Sequence, residues 1–214
     1  PAARAAGHTA PHVLADMHSH YAMFMRFFVP DLGRHLADNG TTLVAWSLVD
    51  DTRWTALTRE GYRQQRVPAP GELWAYFESR IADLNARLEQ WNLPRALTPA
   101  DVDAAVNGSV RMVLATEGAS FLEGRPERLV TAHAAGVRHL QLVHFIQSPL
   151  GDHQTAEPVH GGLTATGAKV VAECGRLGML VDLAHGTGAL VDGVLDAYNG
   201  TPVWSHSWIS PQGG

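Results

Sequence analysis

Asp16-Met17-His18-Ser19-His20 ends a short apolar run, and alternation along a strand puts residues i and i+2 on one face. His18 and His20 would then project together, roughly 7 Å apart along the strand, with Asp16 behind them. Two neutral imidazoles on one face are a start on a zinc site. In a chain with 12 histidines the pair alone reads equally well as two polar residues at a strand end. Further along, Glu117, His144, His185 and His206 each follow an apolar β-type run. Imidazole suits Zn²⁺, and a carboxylate can bridge two ions. Water held between such ions is acidified enough to act as hydroxide near neutral pH. A single histidine or a Glu-Gly pair at a strand end has an ordinary reading as a surface or turn residue. Five strands ending this way point to a shared metal site.

The elements that must position these groups alternate β and α. Strands are expected at 12–20, 41–49, 109–116, 137–144, 179–184 and 202–205. Only the second lacks a metal-competent end. Helices are expected over 31–39, 72–91, 98–106, 126–135, 164–177 and 187–198. The longest carries Leu73, Tyr76, Phe77, Ile81, Leu84, Leu88 and Trp91 as one apolar stripe. Thr98-Pro99 reads as a cap followed by proline at the first helical position. Residues 21–28 form an aromatic segment suited to core or to a site mouth, and 50–70 reads as a polar, Arg-rich loop. Alternating β and α predicts a parallel sheet with right-handed crossovers. In a TIM-type (β/α)8 barrel, strand C-terminal ends converge on one face. The other histidines (His8, His12, His35, His133, His139, His153, His160) fall in loops, in helices or at the near ends of strands, away from this convergence. Like them, Cys174 is read as no ligand, and with His133 it is a helix packing residue.

Composition narrows the function classes. At 214 residues, 45% hydrophobic and 17% charged, the chain suits one sizeable globular domain. A net charge of -5 with no basic run argues against a nucleic-acid partner. The single cysteine excludes an internal disulfide framework and a Cys-rich zinc site, and leaves a cytoplasmic or an exported location open. No apolar run approaches the ~18–20 residues of a membrane span. Residues 1–11 are an Ala-rich extension, readable as a processed end, a linker or a frayed terminus, and 12–214 is the barrel domain.

The block Gly162-Leu-Thr-Ala-Thr-Gly-Ala-Lys-Val-Val-Ala-Glu-Cys-Gly-Arg-Leu-Gly-Met-Leu-Val-Asp-Leu-Ala-His185 resembles the membrane (renal) dipeptidases, peptidase family M19 of the amidohydrolase-like barrels. Pro202-Val-Trp-Ser-His-Ser207, Thr116-Glu-Gly118 and the Gly136-Val-Arg to His144 strand are similar to that family too. The resemblance implies a two-zinc hydrolase acting on dipeptides, in which Glu117 bridges the ions. It implies His18 with His20 at one ion and His185 with His206 at the other. It gives His144 the task of binding substrate and polarising the scissile carbonyl while bridging hydroxide attacks. By analogy it also raises a homodimer.

Two departures qualify this expectation. The family pattern has aspartate where this chain has His20, although HxH ligates in the wider amidohydrolase superfamily. About six of eight βα units are present, so the barrel is expected to be C-terminally incomplete. The family's substrate-gripping arginine and late aspartate proton shuttle have no counterpart before Gly214. Two alternatives follow: a related metal hydrolase cleaving a lactone, amide or phosphoester, or a metal-binding barrel without turnover.

Overall fold

In the computed structural model, residues 14–21, 23 and 32–207 are described. The N-terminal extension and most of the aromatic 21–28 segment lie outside them. Five strands form one parallel sheet in the order β1-β2-β5-β6-β7: β1 Leu14–Ser19, β2 Thr41–Val49, β5 Arg111–Glu117, β6 Val137–Gln141 and β7 Leu180–Asp182. The helices are α1 Leu32–Asn39, α2 Glu72–Gln90, α3 Pro99–Val106, α4 Arg128–Ala134, α5 Ala165–Leu177 and α6 Gly188–Ala197. The expected sixth strand is reduced to one parallel bridge, Asp182 to Val203. Pro202 is one cause, since it cannot donate to a ladder. The result is a curled partial barrel.

The middle of the sheet is its best-buried part. From Val44 to Val49 and from Met112 to Glu117 every residue is buried, as continuous apolar runs between two covering layers should be. Register does the positioning. Val49 pairs with Glu117, so Asp50 lies beside Gly118 at the common C-terminal edge. The α2 stripe buries Leu73, Phe77, Ile81, Leu84 and Leu88 against the core, and Phe77 stacks on Phe121 at 4.1 Å between ring centroids. Thr98 caps α3 reciprocally with Asp101, and Thr164 caps α5 by accepting from Gly167 N–H. By contrast Leu14, Ala15 and Asp16 of β1 are exposed on the outer edge of the sheet.

The reading of 50–70 as a loop needs correction. Thr55–Thr58 (β3) and Gly61–Gln64 (β4) form an antiparallel hairpin. Gly61, at φ 97°, supplies the left-handed turn conformation, and Thr58 Oγ1 donates to the Gly61 carbonyl at 2.8 Å. The ribbon is largely exposed, so no apolar alternation marks it in the sequence. The fourth and fifth expected strands are also shorter than read: His144 and His185 each follow their strand by three residues rather than ending it. Among the described residues, no helix is long and apolar enough to cross a membrane.

Candidate metal centre

Glu117 is the last residue of β5, and five imidazoles face its carboxylate. Its Oε1 lies 3.1 Å from His206 Nε2, 3.4 Å from His18 Nε2, 3.4 Å from His185 Nε2 and 3.5 Å from His144 Nε2. Its Oε2 lies 3.1 Å from His20 Nε2. All six residues singled out from the sequence therefore meet at one face. His20 points inward: its Nε2 is 3.0 Å from that of His18.

The outer nitrogens explain why Nε2 is the atom that faces in. A carbonyl oxygen only accepts, so His20 Nδ1–H donates to Ser47 O at 2.8 Å. His144 Nδ1–H donates to Asp51 Oδ1 at 2.8 Å. Ser205 spends its hydroxyl proton on Asp182 Oδ2, so Ser205 Oγ accepts from His206 Nδ1–H at 2.8 Å. In the neutral rings of His20 and His206 Nε2 is left with a lone pair aimed at the centre, the state a metal requires. His185 is delivered differently. Its backbone sits in the left-handed region at φ 65°, a strained conformation for a non-glycine that costs roughly 1–3 kcal/mol.

Protein groups alone leave this arrangement unsatisfied, and a metal suits it. Four imidazole nitrogens crowd one carboxylate oxygen. Two Nε2 pairs, His18 with His20 and His185 with His206, face each other at 3.0 Å. Between the two rings of each pair there is room for one proton or one cation. Two sets of three ligating atoms lie within 4.8 Å of one another: His18, Glu117 and His206, and Glu117, His144 and His185. This geometry partitions the histidines differently from the division implied by the family resemblance, with Glu117 common to both.

Electrostatics follow burial and the shared carboxylate. Burial opposes ionisation of Glu117, but the imidazoles of His18, His185, His20 and His206 gathered at its oxygens hold it far below the usual carboxylate range. Burial lowers His18, with Glu117 opposing. Burial also opposes charging of His20, but the hydrogen bond and charge of Glu117 outweigh it and raise that ring. Asp50 is pushed up by burial, then by the charge of Asp51, against the Phe121 amide that donates to it. Gly118, at φ 90°, closes on this carboxyl; a Cβ there would collide with Asp50 Oδ1.

Carboxylates that the strand-end reading passed over hold the site in place. Asp51, fully buried, accepts from His144 Nδ1 and from the Phe145 amide at 2.9 Å. Asp182 accepts from His139 Nε2 at 3.0 Å, from Ser205 Oγ, and from the Ala184 and Ser205 amides at 3.0 and 3.1 Å. It therefore ties β7 to the sixth-strand segment between His185 and His206. Both aspartates lie at strand C-terminal ends, the signal that singled out the histidines. A cavity of about 340 Å³ opens onto the centre, lined by Glu117, His144, His185 and His206 together with Val49, Tyr62 and Phe145.

A partial parallel barrel that gathers histidines and a shared glutamate at its strand ends has the donor set of a metal centre. The family model for membrane dipeptidase, peptidase family M19, matches residues 77–210, and the chain belongs to that family. Dipeptidase aclJ of Aspergillus oryzae is 33% identical over 124 residues, 54% of this chain and 29% of that protein. Dipeptidase 3 of Rattus norvegicus is 33% identical over 154 residues, 64% of this chain and 32% of that one. A metallopeptidase structure from Rhodobacter sphaeroides, liganded with a phosphinate mimic of the dipeptide L-Ala-D-Ala, superposes with a TM-score of 0.72 at 20% identity, over 91% of this chain and 65% of that chain. The chain thus spans about a third of the length of the curated relatives it matches.

Proposed function

We propose that this chain carries the metal-binding part of a zinc-dependent dipeptidase active site, with two ions sharing Glu117. The observation that carries this reading is the set of Nε2 atoms around Glu117, several with Nδ1 tied from behind. His18 and His20 serve one ion, and His185 and His206 the other. Zinc, when bound, supplies Lewis acidity that activates water and polarises a carbonyl.

The chain's own residues then have distinct tasks. Glu117, kept ionised by its imidazole neighbours, supplies the negative charge that two cations need. His144 is held at Nδ1 by Asp51, so only Nε2 can meet a substrate. Its Nε2 is placed to contact the carbonyl oxygen and to stabilise the charge that develops as the carbonyl carbon becomes tetrahedral. The Tyr62 and Phe145 side of the cavity limits water around the peptide. Hydrolysis adds water across the C–N bond and releases two amino acids.

His20 favours a second reading. A ligating HxH pair is the amidohydrolase-type first strand, and His20 Nε2 stands 3.1 Å from Glu117 Oε2. That reading predicts cleavage of a lactone, amide or phosphoester by the same metals. The test is a panel of dipeptides, lactones and phosphoesters offered to the zinc-loaded, full-length protein. Dipeptide turnover supports the first reading; turnover of the others alone replaces it with the second.

A further inference from the structure

The hairpin that the sequence concealed stands over the proposed reaction site. Tyr62 of β4 stacks on Phe145, with centroids 5.3 Å apart and planes 12° from parallel. Phe145 in turn packs on His144 at 3.9 Å and meets His185 edge-on at 5.2 Å. The two aromatic rings therefore continue directly from the imidazoles around Glu117. They are also held in register with them. The Phe145 amide donates to Asp51, the carboxylate that orients His144. Gln64 Oε1 accepts from the Gln147 amide at 3.0 Å, and Gln65 N–H donates to the Trp54 carbonyl at 2.8 Å, so the hairpin is fastened at its base and to the loop after β6.

Tyr62 is half-exposed, yet its ring lies flat against a second ring at a cavity mouth. Large rigid rings offer apolar area at little entropic cost. The cavity is lined by Val49, Tyr62 and Phe145 together with Glu117, His144, His185 and His206, so apolar rings and metal-competent groups share one wall. An adjoining cavity of about 380 Å³ shares the same two rings. A substrate backbone held at the histidines would place the side chain flanking the scissile bond against this aromatic face.

We infer that Tyr62 and Phe145 form a specificity wall that selects dipeptides carrying a large apolar side chain, of leucine or phenylalanine type, beside the scissile bond. The inference rests on the dipeptidase reading for the reaction but on the ring geometry for the preference. It makes Tyr62 a specificity residue on an element remote from the strand ends.

The test compares kcat/KM for Leu- and Phe-containing dipeptides with that for Gly-Gly, in full-length wild type, Tyr62→Ala and Tyr62→Phe. Wild type prefers the bulky substrates. Tyr62→Ala lowers that preference by roughly tenfold, the discrimination a lost apolar contact gives, and Tyr62→Phe restores it. A preference unmoved by Tyr62→Ala overturns the wall. Equilibrium binding of non-hydrolysable phosphinate analogues, one with a leucine-type and one with a glycine-type side chain, keeps the two claims apart. If no dipeptide is turned over, the reaction assignment fails, and the wall stands or falls on whether Tyr62→Ala weakens the leucine-type analogue roughly tenfold more than the glycine-type one.

Discussion

The two sides of the cavity are built on opposite principles. The metal side is made of strand ends. Glu117 and His144 are buried, and fully buried Asp51 and Asp182 hold the imidazoles from behind. The facing side is a hairpin of exposed, Arg-rich ribbon, anchored by a few polar ties: Gln64 to Gln147, and Arg66 to Glu72 at 2.8 and 3.1 Å. Charge and burial fix the first side. The second sits on the surface of the fold and can be altered at small cost to stability. The proposed chemistry thus rests on the better-buried part, and the proposed substrate preference on the exposed part.

Breaking the buried side should have the largest effect. Asp182→Ala leaves His139 buried without its partner and unties Ser205, and with it His206. Each buried group left unpaired costs about 1–3 kcal/mol, and denaturant unfolding should show the loss, together with weaker zinc retention. Asp182→Asn, which keeps the acceptors for the Ala184 and Ser205 amides, should recover part of it. Asp51→Asn has a narrower consequence, because it keeps the shape and loses the charge that fixes His144. It should lower kcat by roughly 10²-fold, within the usual contribution of a positioned proton donor, while metal content stays at wild-type level. Loss of metal in that variant would instead make His144 a ligand, as the set of Glu117, His144 and His185 allows.

The smallest effect belongs to the hairpin. Hydrogen bonds from Arg66, from the Ala69 amide and from Trp54 hold the Glu72 carboxyl at about 2, below its ordinary 4.5. A depressed carboxylate stabilises the folded state above its unfolded value. That contribution should fade as pH falls from about 4.5 to about 2. Because Glu72 is exposed, the loss should be modest and confined to the hairpin base. Fluorescence of Trp54, which is buried at that base and donates to Glu72 at 3.3 Å, should report it, and Glu72→Gln should remove the transition.

The same contrast explains what could be read in advance. Parallel strands covered on both sides appear as continuous apolar runs, so β2 and β5 were legible. The strand-end rule then brought His18, His20, Glu117, His144, His185 and His206 to one face. The α2 stripe was legible because one side of a helix is buried. The hairpin was not, because neither of its faces is. Asp51 falls in the segment read as a loop and Asp182 within a strand run; only the groups that bury them and bond to them reveal their role. The distances among the five imidazoles are not written in the pattern, since they depend on strand curl and on the left-handed backbone at His185.

The central claim is a metal pair organised by Glu117. Elemental analysis of the full-length protein, purified without chelator, beside the Glu117→Gln variant tests it most directly. Two zinc ions per chain in wild type, with the pair lost in the variant, is the result this account predicts. Unchanged metal stoichiometry after Glu117→Gln, or a wild-type protein that retains no metal, would contradict it.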